Sequence, residues 1–334
     1  MEIYMAKRSG RTNRGLSAIA AIGIALAGLS GAVQAQSTEK PMRIILPVSA
    51  GSGVDTITRT VGPAFSKALG QPVVIENQPG AGGITGTLAL VKSPSDGSTI
   101  SVISNNHVIF PSVYAKLPFD AIEDITAITV IGTTPLVIVV NPAKVPVNTV
   151  QELVAFLKAK PDAYNYASSG NGTILHLAAE MFIGEAGVQV RHIPYKGVAP
   201  MVTDLIGGQV EMGVLALPAA QGHIKNGTLR ALGMAGPKRS PAAPDLPTVA
   251  EQGLPNYIVE AWFAVIGPAR LPPAQVNRIV TALTAAFASP EVREAMAKQG
   301  NDINPRTPEA ADKFLRAEMA KYAKLVKRAG VKVD

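Results

Sequence analysis

The segment at residues 47–55, PVSAGSGVD, connects an apolar strand-like run to a helical pattern and strongly constrains the fold of this chain. Gly51 and Gly53 flank Ser52 in the turn. Glycine tolerates positive φ and lets a ligand approach the backbone closely. A helix that begins here directs unpaired N–H groups and a partial positive charge toward the loop. The segment therefore predicts one half of an anion-binding clamp.

Three more polar loops follow strand-like runs, at residues 76–83, 104–107 and 168–173. From residue 41 onward such runs alternate with helical patterns, which predicts an α/β fold with a largely parallel core. Ligands of α/β proteins lie beyond the carboxyl ends of the strands. The loop at 168–173, SSGNGT, has the same strand–loop–helix context as the first segment. We expect these two loops to face each other across a cleft and to hold one carboxylate.

The first 35 residues have the order of a secretory signal peptide. A basic stretch with Lys7 and Arg14 precedes an uncharged apolar run at 16–33, and small residues around Ala35 suit a cleavage site. The alternative is an uncleaved membrane anchor, because the apolar run is close to the minimum length of a span. We expect cleavage near Ala35 and a mature chain that begins at Gln36.

Composition excludes several classes of function. The predicted leader contains four basic residues and one acidic residue, so the rest of the 334-residue chain keeps 27 Lys and Arg against 23 Asp and Glu. This balance is not typical of a nucleic-acid-binding protein. The chain has no cysteine, so a protein of this length must be held by its hydrophobic core. It is long enough for two domains.

Motifs for catalysis and cofactors are missing from the sequence. The loop at 47–55 matches neither the dinucleotide fingerprint nor the Walker motif, and no G-x-S-x-G elbow occurs. The four histidines are not spaced as metal ligands. We therefore predict no catalytic residue, no metal and no cofactor. Asp55 is expected either to be the N-cap or a first-turn acid of the first helix, or to contact the ligand directly. Lys196 is expected to be a surface lysine.

Seven stretches together resemble a known family, the solute receptors of tripartite tricarboxylate transporters, or Bug receptors. The resemblance covers the chain from residue 41 to its end. Its motifs are PVSAGSGVDTITR, VVIENQPGAGGITG, SNNHVIFPSVYAKLPFD, NYASSGNGTILHLAAEMF, PYKGVAPMVTDLIGGQVEMG, GHIKNGTLRALGMAGPKRSPAAPDLPTVAEQGLP and EAWFAVIGPA.

The resemblance implies a periplasmic-binding-protein-like (type II) Venus flytrap with two α/β domains and a central cleft. Domain 1 would comprise residues 41–141 and 266–334, and domain 2 residues 142–265. The protein would be a periplasmic, monomeric receptor that delivers a small organic acid to one large and one small membrane transporter subunit. It would not be an enzyme. A sensor for a signalling partner is the alternative, and a periplasmic hydrolase is disfavoured.

The expected ligand-binding residues follow from the polar loops and the resemblance. Relatives commonly carry an aromatic residue where this chain has Val48, and often an aspartate where it has Leu215. The missing aspartate argues against an amino acid ligand. The full expected set is Val48, Ser49, Gly51, Ser52, Gly53, Asp55, Gly83, Ser104, Asn106, His107, Ser169, Gly170, Asn171, Gly172, Thr173, His176 and Leu215.

Overall fold

Two β-sheets with flanking helices make up the part of the chain that the computed structural model describes, residues 40–331. The predicted signal peptide at 1–35 lies outside these residues. We use "first lobe" for the six-stranded sheet with its helices and "second lobe" for the five-stranded sheet with its helices. Within residues 40–331, no helix is both long enough and apolar enough to cross a membrane.

The first lobe has the strand order β11-β4-β10-β3-β1-β2. β1 pairs in parallel with β2 and β3, whereas β10 is antiparallel to both of its neighbours. Its strands are β1 (Met42–Leu46), β2 (Val73–Asn77), β3 (Thr99–Ser104), β4 (Ile125–Thr134), β10 (Ala261–Pro268) and β11 (Asp302–Ile303). Its helices are α1 (Gly53–Leu69), α2 (Ile84–Val91), α3 (Asn106–Val113), α8 (Pro273–Ala288), α9 (Pro290–Lys298) and α10 (Pro308–Ala329).

The second lobe has the strand order β7-β6-β8-β5-β9. β6 is parallel to β7 and β8, and β5 runs antiparallel between β8 and β9. Its strands are β5 (Leu136–Val140), β6 (Asn165–Ser168), β7 (Arg191–Pro194), β8 (Met212–Ala216) and β9 (Arg230–Met234). Its helices are α4 (Val150–Lys158), α5 (Ile174–Ala186), α6 (Val198–Gly207) and α7 (Leu217–Lys225).

Sheet membership differs from the predicted domain bounds at two strands. β5 belongs to the second sheet, so the chain changes sheets at Pro135 and not at the expected crossing beyond Asn141. All of β10 belongs to the first sheet, although the prediction assigned its first five residues to domain 2. Both sheets are mixed, not largely parallel. A run of buried apolar residues identifies a strand but does not reveal its partner, which explains these differences.

Local sequence signals place the helices that lead into the cleft. Ser52 caps α1, because its Oγ accepts from the amide of Asp55 at 3.2 Å, and Gly70 ends the helix at φ 72°. Thr173 caps α5 in the same manner, accepting from the amide of His176 at 3.3 Å. Both helices begin directly after a polar loop, so their N-termini face the space between the lobes.

The C-terminal helix α10 fixes the loop after β3. The fully buried Asn105 donates to the hydroxyl of Tyr322 at 2.6 Å and accepts from the amide of Trp262 at 3.0 Å. The indole of Trp262 donates to Glu318 at 2.8 Å. These contacts hold the end of β3, the start of β10 and α10 together beside the cleft.

Candidate functional site

A cavity of about 640 Å³ opens between the lobes, and we call it the outer cavity. Loops from both lobes line it, and most of the lining residues have small side chains. Its size is within the usual range for small-molecule sites. The lining comprises Pro47, Val48, Ser49, Pro79, Gly80, Ala81, Gly82, Gly83, Asn106, Tyr114, Ser169, Gly170, Asn171, Thr173, Pro194, Tyr195, Lys196, Gly197 and Val198.

A second space of about 70 Å³, which we call the inner chamber, lies beside the outer cavity. Val48, Asn106, Ser169 and Val198 line both. None of the side chains that line the inner chamber carries a formal charge. Its other lining residues are Ser52, Gly53, Val54, Ser104, Thr134, Leu136, Ile174, Leu175, Ala216, Ala219, Ala261 and Trp262.

Most of the expected ligand-binding residues lie at one or both of these spaces. They come from four loops that are separated in the sequence and that the fold brings together. Those at the outer cavity, the inner chamber or both are Val48, Ser49, Ser52, Gly53, Gly83, Ser104, Asn106, Ser169, Gly170, Asn171 and Thr173.

Gly51 and Asp55 line neither space, in contrast to the expectation. Asp55 is buried, and its carboxylate accepts hydrogen bonds from the Gly51 amide, Arg59 and Asn77, each at 2.9 Å. These bonds occupy the carboxylate inside the first lobe. Of the two roles expected for Asp55, the structure favours the one in the first turn of α1 over direct ligand contact. Gly51 therefore shapes the loop through its φ of 76° and its bond to Asp55.

His107 and Leu215 were also expected at the ligand but are part of the core. The Nε2 of His107 pairs with the carbonyl of Ala121 at 2.6 Å, and burial lowers its pKa to about 4. Leu215 is fully buried in β8, where it pairs with Val137 of β5. The next residue, Ala216, is the one that reaches the inner chamber, because successive side chains of a strand point to opposite faces.

His176 and Gly172 stabilise the loop at 168–173 through contacts inside the second lobe. The Gly172 amide donates to Nδ1 of His176 at 3.0 Å, and the His176 ring stacks on His192 at 3.9 Å between centroids. Burial, and then the neighbouring His192, lower the pKa of His176 to about 3. Burial lowers the pKa of His192 to about 4. Both rings are therefore neutral near pH 7 and rigidify the loop at 168–173.

Three side chains of the first lobe form hydrogen bonds to the second lobe around the cavity. The Oγ of Ser49 accepts from the amides of Val198 at 2.8 Å and Ala199 at 3.4 Å, which lie at the start of α6. The Oδ1 of Asn106 accepts from the amide of Ile174 at 2.8 Å. The hydroxyl of Tyr114 donates to the carbonyl of Asn171 at 3.3 Å. Each lobe thus supplies groups that hold the other in the observed arrangement.

Two segments at the outer cavity were missed by the sequence reasoning. The turn at 79–83 was noted as glycine-rich, but only Gly83 was expected at the ligand, although the whole turn lines the cavity. Four successive residues there have positive φ, including the non-glycine Ala81 at 45°. The other segment is PYKG at 194–197. Gly197 of this segment was the available signal for a close approach between the lobes. It has a φ of 117°, and a Cβ at this position would lie 2.7 Å from the Oγ of Ser49.

Lys196 is the only charged side chain among the residues that line the outer cavity. It is exposed, and its ammonium group forms no salt bridge or hydrogen bond within residues 40–331. No acidic side chain lines either space. The backbone adds to this positive bias, because the first turns of α1, α5 and α6 all border the inner chamber. Both spaces are therefore suited to an anion.

The described residues do not bring together a hydrolytic set at the cavity. Ser168 pairs with Nε2 of His192 at 2.6 Å, but Ser168 is fully buried and lines neither space. Ser169, which does line them, donates to Thr173 at 3.2 Å and not to a histidine. Nor do three or more potential metal-ligating side chains converge within residues 40–331.

Solved structures with the same architecture are periplasmic binding proteins. The periplasmic binding protein BugD is 30% identical, with a TM-score of 0.84 over 88% of this chain and 99% of that one. An R. palustris protein with adipate is 29% identical, with a TM-score of 0.85 over 89% of this chain and all of that one. MatC from Rhodopseudomonas palustris with bound malate is 25% identical, with a TM-score of 0.80 over 86% and 98% of the two chains. The expected periplasmic-binding-protein fold of the Venus-flytrap type is confirmed.

Sequence comparison assigns the family. Residues 57–331 match the model of the tripartite tricarboxylate transporter family receptor. The protein BugT of Bordetella pertussis is 35% identical over 321 residues, which cover 95% of this chain and 98% of that protein. The chain belongs to this family of solute-binding receptors, and the resemblance noted in the sequence is confirmed.

Proposed function

We propose that this protein is an exported receptor that captures a small organic carboxylate without an ammonium group and delivers it to a tripartite tricarboxylate-type membrane transporter. The observation that carries the proposal is the charge of the cleft. Its one charged lining side chain is the cation Lys196, and helix N-termini supply the remaining positive potential. The adipate and malate in the two structural neighbours are carboxylates of the same class.

The lack of an acidic lining residue supports the exclusion of amino acids. An ammonium group in either space would have no carboxylate partner, and burying an unpaired charge is costly. We extend the proposal to export with cleavage near Ala35, to a monomeric receptor without enzymatic activity, and to a transporter of one large and one small subunit. A sensor with the same binding chemistry is the second candidate. Deleting the transporter genes distinguishes the two, because only transport requires them.

Thermal shift against a panel of organic acids tests the proposal. We expect malate, adipate or a related acid to raise the melting temperature, and Lys196→Gln to reduce that shift. The exposed Lys313, which lines neither space, provides the matched control, and Lys313→Gln should leave the shift unchanged. Stabilisation by aspartate or glutamate alone would contradict the exclusion of amino acids. No stabilisation by any acid would contradict the proposed function.

A further inference from the structure

One acceptor atom, Nδ1 of His176, holds the amide of Gly172 in the loop at 168–173. The amide donates to it at 3.0 Å, and His176 is buried. Because a backbone N–H can only donate, Nδ1 carries no proton, and the neutral ring has its proton on Nε2. A proton added to Nδ1 would place two donors opposite each other. The bond therefore exists only while the ring is neutral.

The residues on either side of Gly172 line the outer cavity. They are Asn171 and Thr173. The carbonyl of Asn171 also accepts from the hydroxyl of Tyr114 in the first lobe at 3.3 Å, and the hydroxyl of Thr173 caps α5. Gly172 itself has a φ of 70°, so its bond to His176 holds a left-handed turn between these two contacts. Loss of that bond would move both the cavity wall and a contact between the lobes.

A second imidazole holds the same loop and restricts the charge of the first. The ring of His192, on β7, stacks on His176 at 3.9 Å and on Tyr166 of β6 at 4.8 Å between centroids. Its Nε2 pairs with Ser168 at 2.6 Å, and the Oγ of Ser168 accepts from the amide of Gly170 at 3.2 Å. Two positive rings in a stack would repel each other, so the stacked pair favours neutral rings.

The titratable and charged groups that face His176 come from four elements. On its own helix, Glu180 places Oε1 3.9 Å from Nε2 and accepts from the hydroxyl of Tyr166 on β6. His192 faces it from β7. From α10, Arg328 lines a space of about 250 Å³ together with Glu180. Burial and His192 oppose a charge on His176, whereas the carboxylate of Glu180 would stabilise a protonated ring that had released Gly172.

We propose that His176 is a positioning residue that makes ligand binding depend on pH, because its neutral ring holds the loop at 168–173 in the binding conformation and a proton on Nδ1 releases that loop. The proposal rests on the proposed function and adds a regulation to it. The receptor binds its acid at neutral pH and takes up one proton when acidification drives the ligand out.

The direction of the effect follows from the two states of the ring. While the loop is bound, burial and then His192 lower the pKa of His176 to about 3. When the loop is released, water reaches the ring and the pKa returns toward its ordinary value of 6.5. The released state therefore binds the extra proton. Ligand affinity is complete above about pH 6.5 and falls as the pH decreases, by up to about tenfold per pH unit for one proton.

His176→Asn separates the acceptor from its titration. The amide oxygen of asparagine can accept from Gly172 near the position of Nδ1, and it does not bind a proton in this pH range. The affinity of the purified receptor for the most stabilising acid of the thermal-shift panel is measured by calorimetry from pH 7 to 4.5. We expect equal affinities of wild type and variant at pH 7. At pH 4.5 the wild type should have lost at least about threefold more affinity than the variant.

Two controls accompany this comparison. The protonation of the ligand itself affects wild type and variant equally, so only the difference between their profiles reports on His176. His223→Asn is the matched substitution, because the ring of His223, on α7, pairs with Thr228 at 3.5 Å and lies outside both spaces. This variant should reproduce the wild-type profile.

The tautomer of His176 gives a test that needs no variant. Nitrogen NMR of histidine-labelled wild type at pH 7 should show the proton on Nε2 and a bare Nδ1. A proton on Nδ1 would overturn the proposal, and so would parallel pH profiles of wild type and His176→Asn. If that variant does not fold, the tautomer decides. The proposed function fails on a different result, which is the absence of stabilisation by any acid at pH 7.

Discussion

Ser49→Ala is the change that most directly tests whether the lobes are held together across the cleft. The Oγ of Ser49, in the first lobe, caps α6 of the second lobe by accepting from the amides of Val198 and Ala199. Gly197, the residue before α6, provides no side-chain cap. Replacing a capping serine by alanine costs about 0.5–2 kcal/mol, typically about 1. This cap forms only when the two lobes are in contact. Its loss therefore destabilises the closed arrangement of the lobes.

The expected consequence is weaker ligand binding and not a less stable fold. A cost of about 1 kcal/mol corresponds to roughly a fivefold loss of affinity, since about 1.4 kcal/mol is tenfold. Isothermal titration with the tightest acid of the panel measures the loss. Small-angle scattering of the saturated protein should show a larger open fraction for the variant than for the wild type. The melting temperature without ligand should change little.

A cap within one lobe provides the control. Thr149 caps α4 by accepting from the amide of Glu152 at 3.1 Å, and both residues belong to the second lobe. Thr149→Ala should therefore lower the free energy of unfolding by a similar amount, about 1 kcal/mol, and leave the affinity unchanged. If Ser49→Ala bound the acid as tightly as the wild type, or if Thr149→Ala weakened binding equally, the cap of Ser49 would not control closure.

Two further predictions concern the contact between the lobes and the buried histidines. A Cβ at Gly53 would lie 2.8 Å from the Cβ of Ala216 in the other lobe, so Gly53→Ala should weaken ligand binding. The control is Gly184→Ala in α5, where an added Cβ would have no atom within 4 Å. This variant should leave the affinity unchanged and raise the free energy of unfolding by about 0.5–1 kcal/mol. Equal affinities of the two variants would refute the close approach. The lowered pKa values of His107 and His176 mean that the unfolded chain binds more protons below pH 6.5. The free energy of unfolding is therefore not reduced by these histidines above about pH 6.5. It falls as the pH decreases toward 4, by up to about 1.4 kcal/mol per pH unit for each histidine. Urea unfolding at pH 7 and 5.5 measures this loss, and equal midpoints would contradict it.

Local sequence signals predicted much of the ligand-facing structure. Ser52 and Thr173 were in loops expected to open helices, and both cap their helices. These signals succeed because a cap involves only a few consecutive residues. The same reasoning could not separate ligand contacts from internal ones. Asp55 and His176 lie close to the loops in sequence, but the fold directs both toward partners inside their own lobes.

The residues that sequence reasoning missed depend on contacts between distant segments. Lys196 was expected to be a surface lysine, and it becomes a cavity residue because the lobes bring its turn opposite Ser49. Leu215 was misplaced by one residue, because a strand pattern does not show which of two neighbouring side chains reaches the chamber.

The sequence by itself determined the α/β class, the family and the loops that face the cleft, because strands, caps and glycine turns are encoded by neighbouring residues and the family motifs are linear. Only the tertiary structure decided where the chain changes sheets and which charged side chain faces the cavity. β5 and β10 show the reason. Strand pairing and burial are properties of segments that lie far apart in the chain, and no local pattern specifies them.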